Sequence, residues 1–467
     1  MKNKTFILLF VILFVLSTGL KAEVKLPAIF GDNMVLQQQT NAAIWGTASK
    51  NKTVKVLTSW NKKSYSTKAD SDGNWELKVA TPEAGGPYTI SISDGKSIKL
   101  NNVLIGEVWV CSGQSNMQMI MNGYYNQPVF GSNEAIATST NKNIRLITIE
   151  RDKSLEAKED FSGEWLECTP GNVGNFSATA YFFGRMINDA LDVPVGLICS
   201  AWGGTRIEPW ISEAGLKEFD WVKLPDKNQT GDFSQQTPTV LFNAMISPMV
   251  GYAIRGGLWY QGESNRNEPE EYEKLMPGLI NNWRNEWGIG DFSFYYCQIA
   301  PFDYGGGINS AFLREAQFKA STALPNIGMA CLMDVGEKNN IHPGDKRAAG
   351  ERLAYLALAR TYNMSGFEYS GPVLKDMTVE GSVVKLTFDH ANHGLNTFGK
   401  ELVNFKVAGK NKRFYPAEAF ITRNGITLFS PSVAEPVAVR YAFEDFVVGE
   451  LFNVEGLPAS SFRTDDW

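Results

Sequence analysis

Ser115 is the first residue of this sequence whose type and position suggest chemistry. It lies within Cys111–Met117, directly after the apolar, strand-like run Leu104–Val110 and at the start of a helical pattern. A hydroxyl at such a turn lies beside backbone N–H groups that can hold the oxyanion formed when serine attacks a carbonyl. Helix capping is the commoner role for a serine in this position. Ser115 is therefore a candidate nucleophile, with capping as the alternative.

His342 is the candidate general base. The chain has only three histidines, and the other two, His390 and His393, fall in a β-rich segment near the C-terminus. Their number and spacing do not fit a histidine-based zinc site such as H-E-x-x-H. A structural imidazole is an equally good explanation of His342 alone, but with Ser115 it forms a nucleophile and base pair.

Further polar clusters follow apolar strands in the same part of the chain. Gly203–Gly204 follows the strand 195–200, Gln261–Asn265 follows 257–260, and Asp334 follows 328–333. Because ligands gather at the carboxyl ends of parallel strands, these clusters are expected to converge. A tight turn without a ligand would explain the two glycines equally well.

The chain divides into three regions that would position these residues. Short alternating runs separated by turns predict a β-sandwich over 23–105, and a return to short strands predicts a second β domain over 366–467. Between them, over 106–365, apolar strands alternate with helical patterns, which predicts an α/β domain with a parallel sheet. The expected helices are 178–191, 270–286 and 344–361, and the expected strands include 104–111, 194–200, 257–260, 293–299, 328–333, 383–388, 425–429 and 438–442.

Composition excludes several classes of protein. The net charge of −6 and the absence of a Lys/Arg block disfavour nucleic acid and anionic membrane partners. Residues 1–22 have the charged start, short apolar run and small-residue exit of a signal peptide, which predicts an exported, periplasmic or secreted protein. The apolar run is too short to span a bilayer. Five widely spaced cysteines favour buried free thiols over a disulfide framework, although a pairing that involves Cys168 stays open.

The polar motifs together resemble a known family. Val108–Met117, Trp202–Thr205, Trp259–Asn265 and Ile341–Pro343, with the closing stretch 455–464, are similar to the sialate O-acetylesterases of the SGNH hydrolase superfamily. The resemblance spans nearly the whole chain after residue 22. It implies a flavodoxin-like three-layer catalytic domain flanked by β domains, and no metal or organic cofactor. It also implies that Ser115 is the nucleophile and His342 the base, with Gly204 and Gln261 completing an oxyanion hole beside the Ser115 backbone N–H.

One position departs from the superfamily pattern. Members usually place Asp three residues before the catalytic histidine, whereas this chain has Asn339. Glu263 is our first choice for the orienting acid, because related carbohydrate esterases carry a similar Gln-Gly-Glu motif, and Asp334 is the second. A Ser-His dyad assisted by a backbone carbonyl is a third arrangement.

The expected substrate is an O-acetylated sugar, and the motifs do not identify the sugar. Trp202 is a candidate to stack on a sugar face, and Arg206 to pair with a substrate carboxylate, although packing and an ion pair with Glu208 are the simpler explanations. Acetylated xylan, pectin or another glycan is an alternative to sialic acid. A non-catalytic carbohydrate-binding protein is a second alternative, and a glycosidase that uses Glu263 is a third. The sequence leaves the oligomeric state open.

Overall fold

The computed structural model describes residues 24–228 and 231–467. The predicted signal peptide, residues 1–22, lies outside them. In the part of the chain that is described, no helix combines the length and apolar character needed to cross a membrane. All five cysteines are described, and each is a free thiol.

The first part of the described chain is β structure in which buried and exposed side chains alternate. In β3, for example, Val54, Val56 and Thr58 are buried and their neighbours are exposed, as a half-buried strand requires. Strands β2 and β5 pair with each other, and β3, β4, β6 and β7 form antiparallel pairs. The strands are β1 (Val35–Gln37), β2 (Asn41–Thr47), β3 (Thr53–Thr58), β4 (Ser64–Lys68), β5 (Asn74–Ala80), β6 (Gly85–Ser93) and β7 (Ser97–Gly113).

Strand β7 joins this β-rich region to the rest of the molecule. Its first half pairs antiparallel with β6, and its second half, from Glu107 to Gly113, pairs in parallel with β10. The predicted boundary between residues 105 and 106 therefore falls inside one continuous strand. The strand that leads to Ser115 is thus held by pairing with β6 in the first region and with β10 in the central region.

The central sheet has β7 in its interior. The strand order is β13-β12-β11-β7-β10-β8-β9, and every neighbouring pair is parallel except β8 with β9. The sheet is therefore mixed, with an antiparallel edge, where the sequence predicted a parallel one. Its further strands are β8 (Asn141–Thr148), β9 (Leu166–Cys168), β10 (Val195–Ala201), β11 (Gly256–Tyr260), β12 (Ser293–Cys297) and β13 (Ile327–Ala330).

Helices cover both faces of this sheet. Alternate residues of β7 enter different cores: Val108 and Val110 pack with the apolar side chains of α6 and α7, whereas Trp109 and Cys111 pack with those of α4 and α8. The three predicted helices are α4, α6 and α8, within two residues at each end. The helices are α1 (Ser115–Gln118), α2 (Ser132–Ala137), α3 (Pro170–Val173), α4 (Ala178–Leu191), α5 (Glu213–Leu216), α6 (Pro269–Trp287), α7 (Ala311–Ala320) and α8 (Lys346–Arg360), with 3-10 turns at 208–210, 247–249 and 263–265 and a π-turn at 242–246.

The last part of the described chain is again β-rich and has its own apolar core, which includes Leu386, Val407 and Leu428. Two four-stranded antiparallel sheets, β14-β15-β20-β19 and β18-β17-β21-β23, enclose it, and β16 pairs with β22. The strands are β14 (Val373–Glu380), β15 (Val383–Asp389), β16 (Leu395–Asn396), β17 (Phe405–Ala408), β18 (Phe414–Pro416), β19 (Glu418–Thr422), β20 (Gly425–Phe429), β21 (Ala438–Tyr441), β22 (Phe452–Asn453) and β23 (Phe462–Arg463). The β-rich flanks predicted from the sequence are present.

Candidate active site

Ser115 is the first residue of α1, two residues after β7 ends. The turn needs Gly113, whose φ is +134° and where an added Cβ would lie 2.2 Å from the Tyr260 carbonyl oxygen. The first N–H groups of a helix have no intrahelical acceptor, so the Ser115 N–H is available beside its own hydroxyl. Local structure therefore gives Ser115 both a nucleophilic oxygen and a nearby oxyanion donor.

His342 contacts this hydroxyl directly. The distance between His342 Nε2 and Ser115 Oγ is 2.7 Å, and the distance between His342 Nδ1 and Gln127 Oε1 is also 2.7 Å. The Gln127 carbonyl oxygen can only accept, so Nδ1 carries the ring proton and Nε2 is left to accept from the serine O–H. This is the tautomer that a general base for Ser115 requires.

The imidazole is held in a partly apolar environment. The Tyr124 ring meets it edge-on, with ring centroids 5.6 Å apart. Burial, and secondarily the positive charge of Lys346, lowers the pKa of His342 to about 4. The imidazole is therefore neutral, and able to accept a proton, well into the acidic range.

Gln127, rather than a carboxylate, orients the imidazole. It lies in a turn between α1 and α2, where its backbone N–H and C=O exchange hydrogen bonds of 2.9 Å with Tyr124. Gln127 was not a candidate from the sequence. No motif in the neighbouring sequence marked Gln127, and it is 215 residues from His342 along the chain.

Glu263, our first choice for the orienting acid, lies in a different, buried network. Its Oε1 accepts a hydrogen bond of 2.6 Å from Asn116 Nδ2, and burial raises its pKa. Asn116 also donates to the Ile341 carbonyl at 3.1 Å and accepts from Lys346 Nζ at 2.5 Å. The prediction that Glu263 orients the His342 imidazole is therefore wrong. Glu263 instead belongs to the hydrogen-bond network of Asn116, next to Ser115.

Asp334, our second choice, is also engaged elsewhere. Its two oxygens each accept a hydrogen bond of 2.7 Å from the Arg352 guanidinium of α8. A bidentate pair of this kind fixes the geometry of both partners. Asp334 therefore ties the strand end after β13 to a helix and does not orient His342.

Of the predicted oxyanion donors, the structure supports the backbone groups and not the Gln261 side chain. The Gln261 amide is fully buried, and its Nε2 donates to Thr205 O at 3.1 Å and to Asn265 Oδ1 at 2.8 Å, which uses both of its N–H bonds. Gly204 follows the end of β10 with a φ of +72°, and its N–H donates to no acceptor in residues 24–228 and 231–467. Two donors are left for an oxyanion, the N–H groups of Ser115 and Gly204.

Gly203 brings this second donor close to the nucleophile. An added Cβ at Gly203 would lie 3.2 Å from Ser115 Cβ and 3.1 Å from Gln118 Oε1. The Gly203 N–H itself donates to Gln118 Oε1 at 2.7 Å. A glycine is thus needed at position 203 because the backbone there lies close to Ser115.

The two residues predicted to bind the sugar differ in their surroundings. Arg206 pairs with Glu208, through contacts of 2.6 to 3.2 Å, and with Glu268 at 3.2 Å, so its charge is already neutralised. Trp202 is half-buried, next to Gly203, and the Arg151 guanidinium lies 5.7 Å from its ring centroid. Trp202 therefore lies beside the Ser115–His342 pair. Arg206 forms the ion pair with Glu208 that was the alternative to binding a substrate carboxylate.

Comparison with known proteins identifies the family of this chain. The family model for the sialic acid-specific acetylesterases, a carbohydrate esterase family, matches residues 105–359. Sialate O-acetylesterase from Mus musculus is 28% identical over 89% of this chain and 89% of its own length, and the Homo sapiens protein is 30% identical over 75% and 73%. The crystal structure of a carbohydrate acetylesterase from Xanthomonas citri aligns with a TM-score of 0.86 and 34% identity, covering 95% of this chain and all of that one. The chain therefore belongs to the sialic acid-specific acetylesterase family of carbohydrate esterases, which are carboxylic ester hydrolases.

Proposed function

We propose that this protein removes O-acetyl groups from sialic acids through an acetyl-enzyme formed on Ser115. The observation that carries the proposal is the contact of 2.7 Å between Ser115 Oγ and His342 Nε2, in a ring whose Nδ1 is engaged by Gln127. The relatives named as sialate O-acetylesterases support the substrate. We also assign the central region to the flavodoxin-like SGNH hydrolase fold, an assignment supported by the helices on both faces of the sheet.

In the first half of the reaction, His342 Nε2 takes the proton of Ser115 as Oγ attacks the acetyl carbonyl carbon. The carbonyl oxygen becomes negatively charged and accepts hydrogen bonds from the N–H groups of Ser115 and Gly204. When the tetrahedral intermediate collapses, the bond to the sugar oxygen breaks and His342 returns its proton to that oxygen. The sugar leaves with a free hydroxyl and Ser115 carries the acetyl group.

In the second half, water takes the place of the sugar. His342 accepts a proton from the water as its oxygen attacks the acetyl carbon, and the same two N–H groups stabilise the oxyanion. Collapse releases acetate and restores the Ser115 hydroxyl with the proton from His342. Gln127 remains neutral throughout and fixes the ring tautomer, which lets one imidazole serve both steps.

The test is acetate release from O-acetylated sialic acid by the wild-type protein and by Ser115→Ala. The substitution should lower kcat by roughly 10³-fold or more and abolish covalent labelling by a serine-directed phosphonate. His342→Ala should cost about as much, and the double variant hardly more than either single one, because both changes disable one step. Full activity of Ser115→Ala would refute the mechanism.

An O-acetylated plant polysaccharide is the second candidate substrate. The sequence motifs do not identify the sugar, and the Xanthomonas citri relative is named a carbohydrate acetylesterase without a stated sugar. Acetyl-xylan oligomers assayed beside O-acetylated sialic acid and an aryl acetate separate the two. A much larger kcat/KM on the xylan oligomers would replace sialic acid as the proposed substrate while leaving the serine mechanism in place.

We also propose that the protein is exported, with residues 1–22 removed as a signal peptide. The support is the charged start, the short apolar run and the small residue Ala22. N-terminal sequencing of the mature protein should begin near Glu23. A mature chain that retains Met1 would contradict the proposal.

A further inference from the structure

A cavity of about 380 Å³ opens between the end of α1 and the end of β10. Its lining includes Gln118, Ala201, Ser177, Asn175, Glu150 and Arg151. Gln118 lies one helical turn after Ser115 on α1, so residues 115 and 118 share a face of the helix. The cavity therefore begins within one turn of the nucleophile, and its volume falls in the usual range of about 300–1,000 Å³ for ligand pockets.

Arg151 is the cation of this cavity. Its guanidinium lies 5.7 Å from the centroid of the Trp202 ring, and no acidic side chain in residues 24–228 and 231–467 forms an ion pair with it. Its charge acts on the Tyr124 hydroxyl, whose ring packs against His342. Arg151 is thus close to the Tyr124 side chain that packs against His342, and it has its hydrogen-bond donors available.

Arg206, two residues after Gly204, offers the contrast. Glu208 and Glu268 both pair with it, so the three side chains together carry a net charge of −1. A substrate carboxylate brought to Arg206 would meet these two carboxylates as well. Arg151 is therefore the better partner for an anionic substrate group.

We infer that Arg151 is a specificity-determining residue that binds the carboxylate of an acidic O-acetylated sugar in the cavity beside Ser115. This inference rests on the proposed function, because it concerns the sugar part of the same ester. The guanidinium lies over the Trp202 ring, with its central carbon 5.7 Å from the ring centroid, and its N–H groups can donate to the carboxylate. Glu150, which is exposed and lines the same cavity, opposes the acidic sugar, so the preference is the balance of the two charges.

The experiment compares an O-acetylated sialic acid with its C1 methyl ester, which is the same sugar without the charge. Acetate release from each gives a ratio of kcat/KM values, acid over ester. Arg151→Gln should lower this ratio by about 10-fold or more, because a charge-assisted hydrogen bond is lost. Glu150→Gln should raise the ratio, because the opposing charge is removed. Arg423→Gln, which removes a surface arginine from the C-terminal β region, should leave the ratio unchanged.

The result that would overturn the inference is a ratio that does not respond to Arg151→Gln. A wild-type ratio near one would overturn it as well. An aryl acetate assayed in parallel tests the serine mechanism independently of the sugar. If the wild type hydrolyses the aryl acetate and shows no charge preference, the inference fails alone; if it hydrolyses no acetyl ester, the proposed function fails.

Discussion

The low pKa of His342 predicts that this enzyme keeps its activity in moderately acidic solution. The base must be neutral, so activity is lost as the pH falls through the pKa of the imidazole, which is about 4 here and 6.5 for an ordinary histidine. At about pH 5 a group with a pKa of 4 is roughly 90% neutral, and a group with a pKa of 6.5 roughly 3%. We therefore expect about 30-fold more active base at pH 5 than an ordinary histidine would supply.

Lys346 is the residue that tests the cause. Burial is the main reason for the low pKa of His342, and the charge of Lys346 adds to it. Burial also lowers the pKa of Lys346 itself to about 7, so its amine is protonated over the range in which His342 titrates. Lys346→Met should therefore move the acidic limb of the pH profile upward from about 4, but leave it below 6.5 because the burial of His342 remains.

The assay is kcat/KM on an aryl acetate between about pH 3.5 and 8, with circular dichroism to confirm a folded protein at each pH. Lys338→Met is the control, because it removes a lysine from the loop that precedes α8, and the Lys338 side chain is 62% exposed. It should leave the acidic limb in place. A wild-type limb near 6.5 would refute the assigned burial of the base, and an unchanged limb in Lys346→Met would refute the part given to the lysine.

Three further predictions concern the geometry of the site. Gln127→Ala should lower kcat by about 10- to 100-fold, because it releases the imidazole. Gln127→Glu should move the acidic limb of the pH profile upward, because a carboxylate stabilises the imidazolium. The pH profiles of both variants check this, and wild-type kinetics of Gln127→Ala would contradict it. Asp334→Ala should lower the free energy of unfolding by about 3–5 kcal/mol, because it leaves the largely buried Arg352 guanidinium without its carboxylate. Chemical denaturation measures this, and a loss below about 1 kcal/mol would show that solvent replaces the pair. Gly203→Ala should lower kcat by about 10-fold with little change in melting temperature, because the added Cβ would lie 3.2 Å from Ser115 Cβ and displace the nucleophile. Wild-type kinetics of this variant would show that the turn relaxes.

Much of the framework was predictable because it depends on local patterns. Strands β11 and β12 are short, fully buried runs rich in apolar and aromatic residues, and α4 begins and ends at the predicted residues 178 and 191. Ser115 was predictable because it lies just after a predicted strand, and His342 because it is the one histidine of three that lies outside the C-terminal β segment. The antiparallel edge strand β9 has only three residues, too few for a pattern to show.

The rest depends on contacts that no local pattern records. Gln127 reaches His342 across 215 residues from an irregular turn. Lys346 is 1% exposed, although lysines are almost always on the surface, so its residue type gives no sign of a buried position. Gln261 and Glu263 have the right residue types for a site, but buried tertiary partners use the Gln261 amide N–H groups and Glu263 Oε1, which the sequence does not reveal.

Asn116 explains how a dyad without a neighbouring carboxylate can be held in register. It is adjacent to Ser115 in the chain, and its amide donates to the carbonyl of Ile341, the residue before His342. A shift of the serine turn relative to the histidine loop would break this partly buried bond as well as the 2.7 Å contact between Ser115 and His342. The contacts of Asn116 with Glu263 and Lys346 use its remaining polar groups, so the amide has one satisfied orientation. The carboxylate of Glu263 thus acts on the site through an asparagine, by fixing where the base lies, while Gln127 fixes which nitrogen carries the proton.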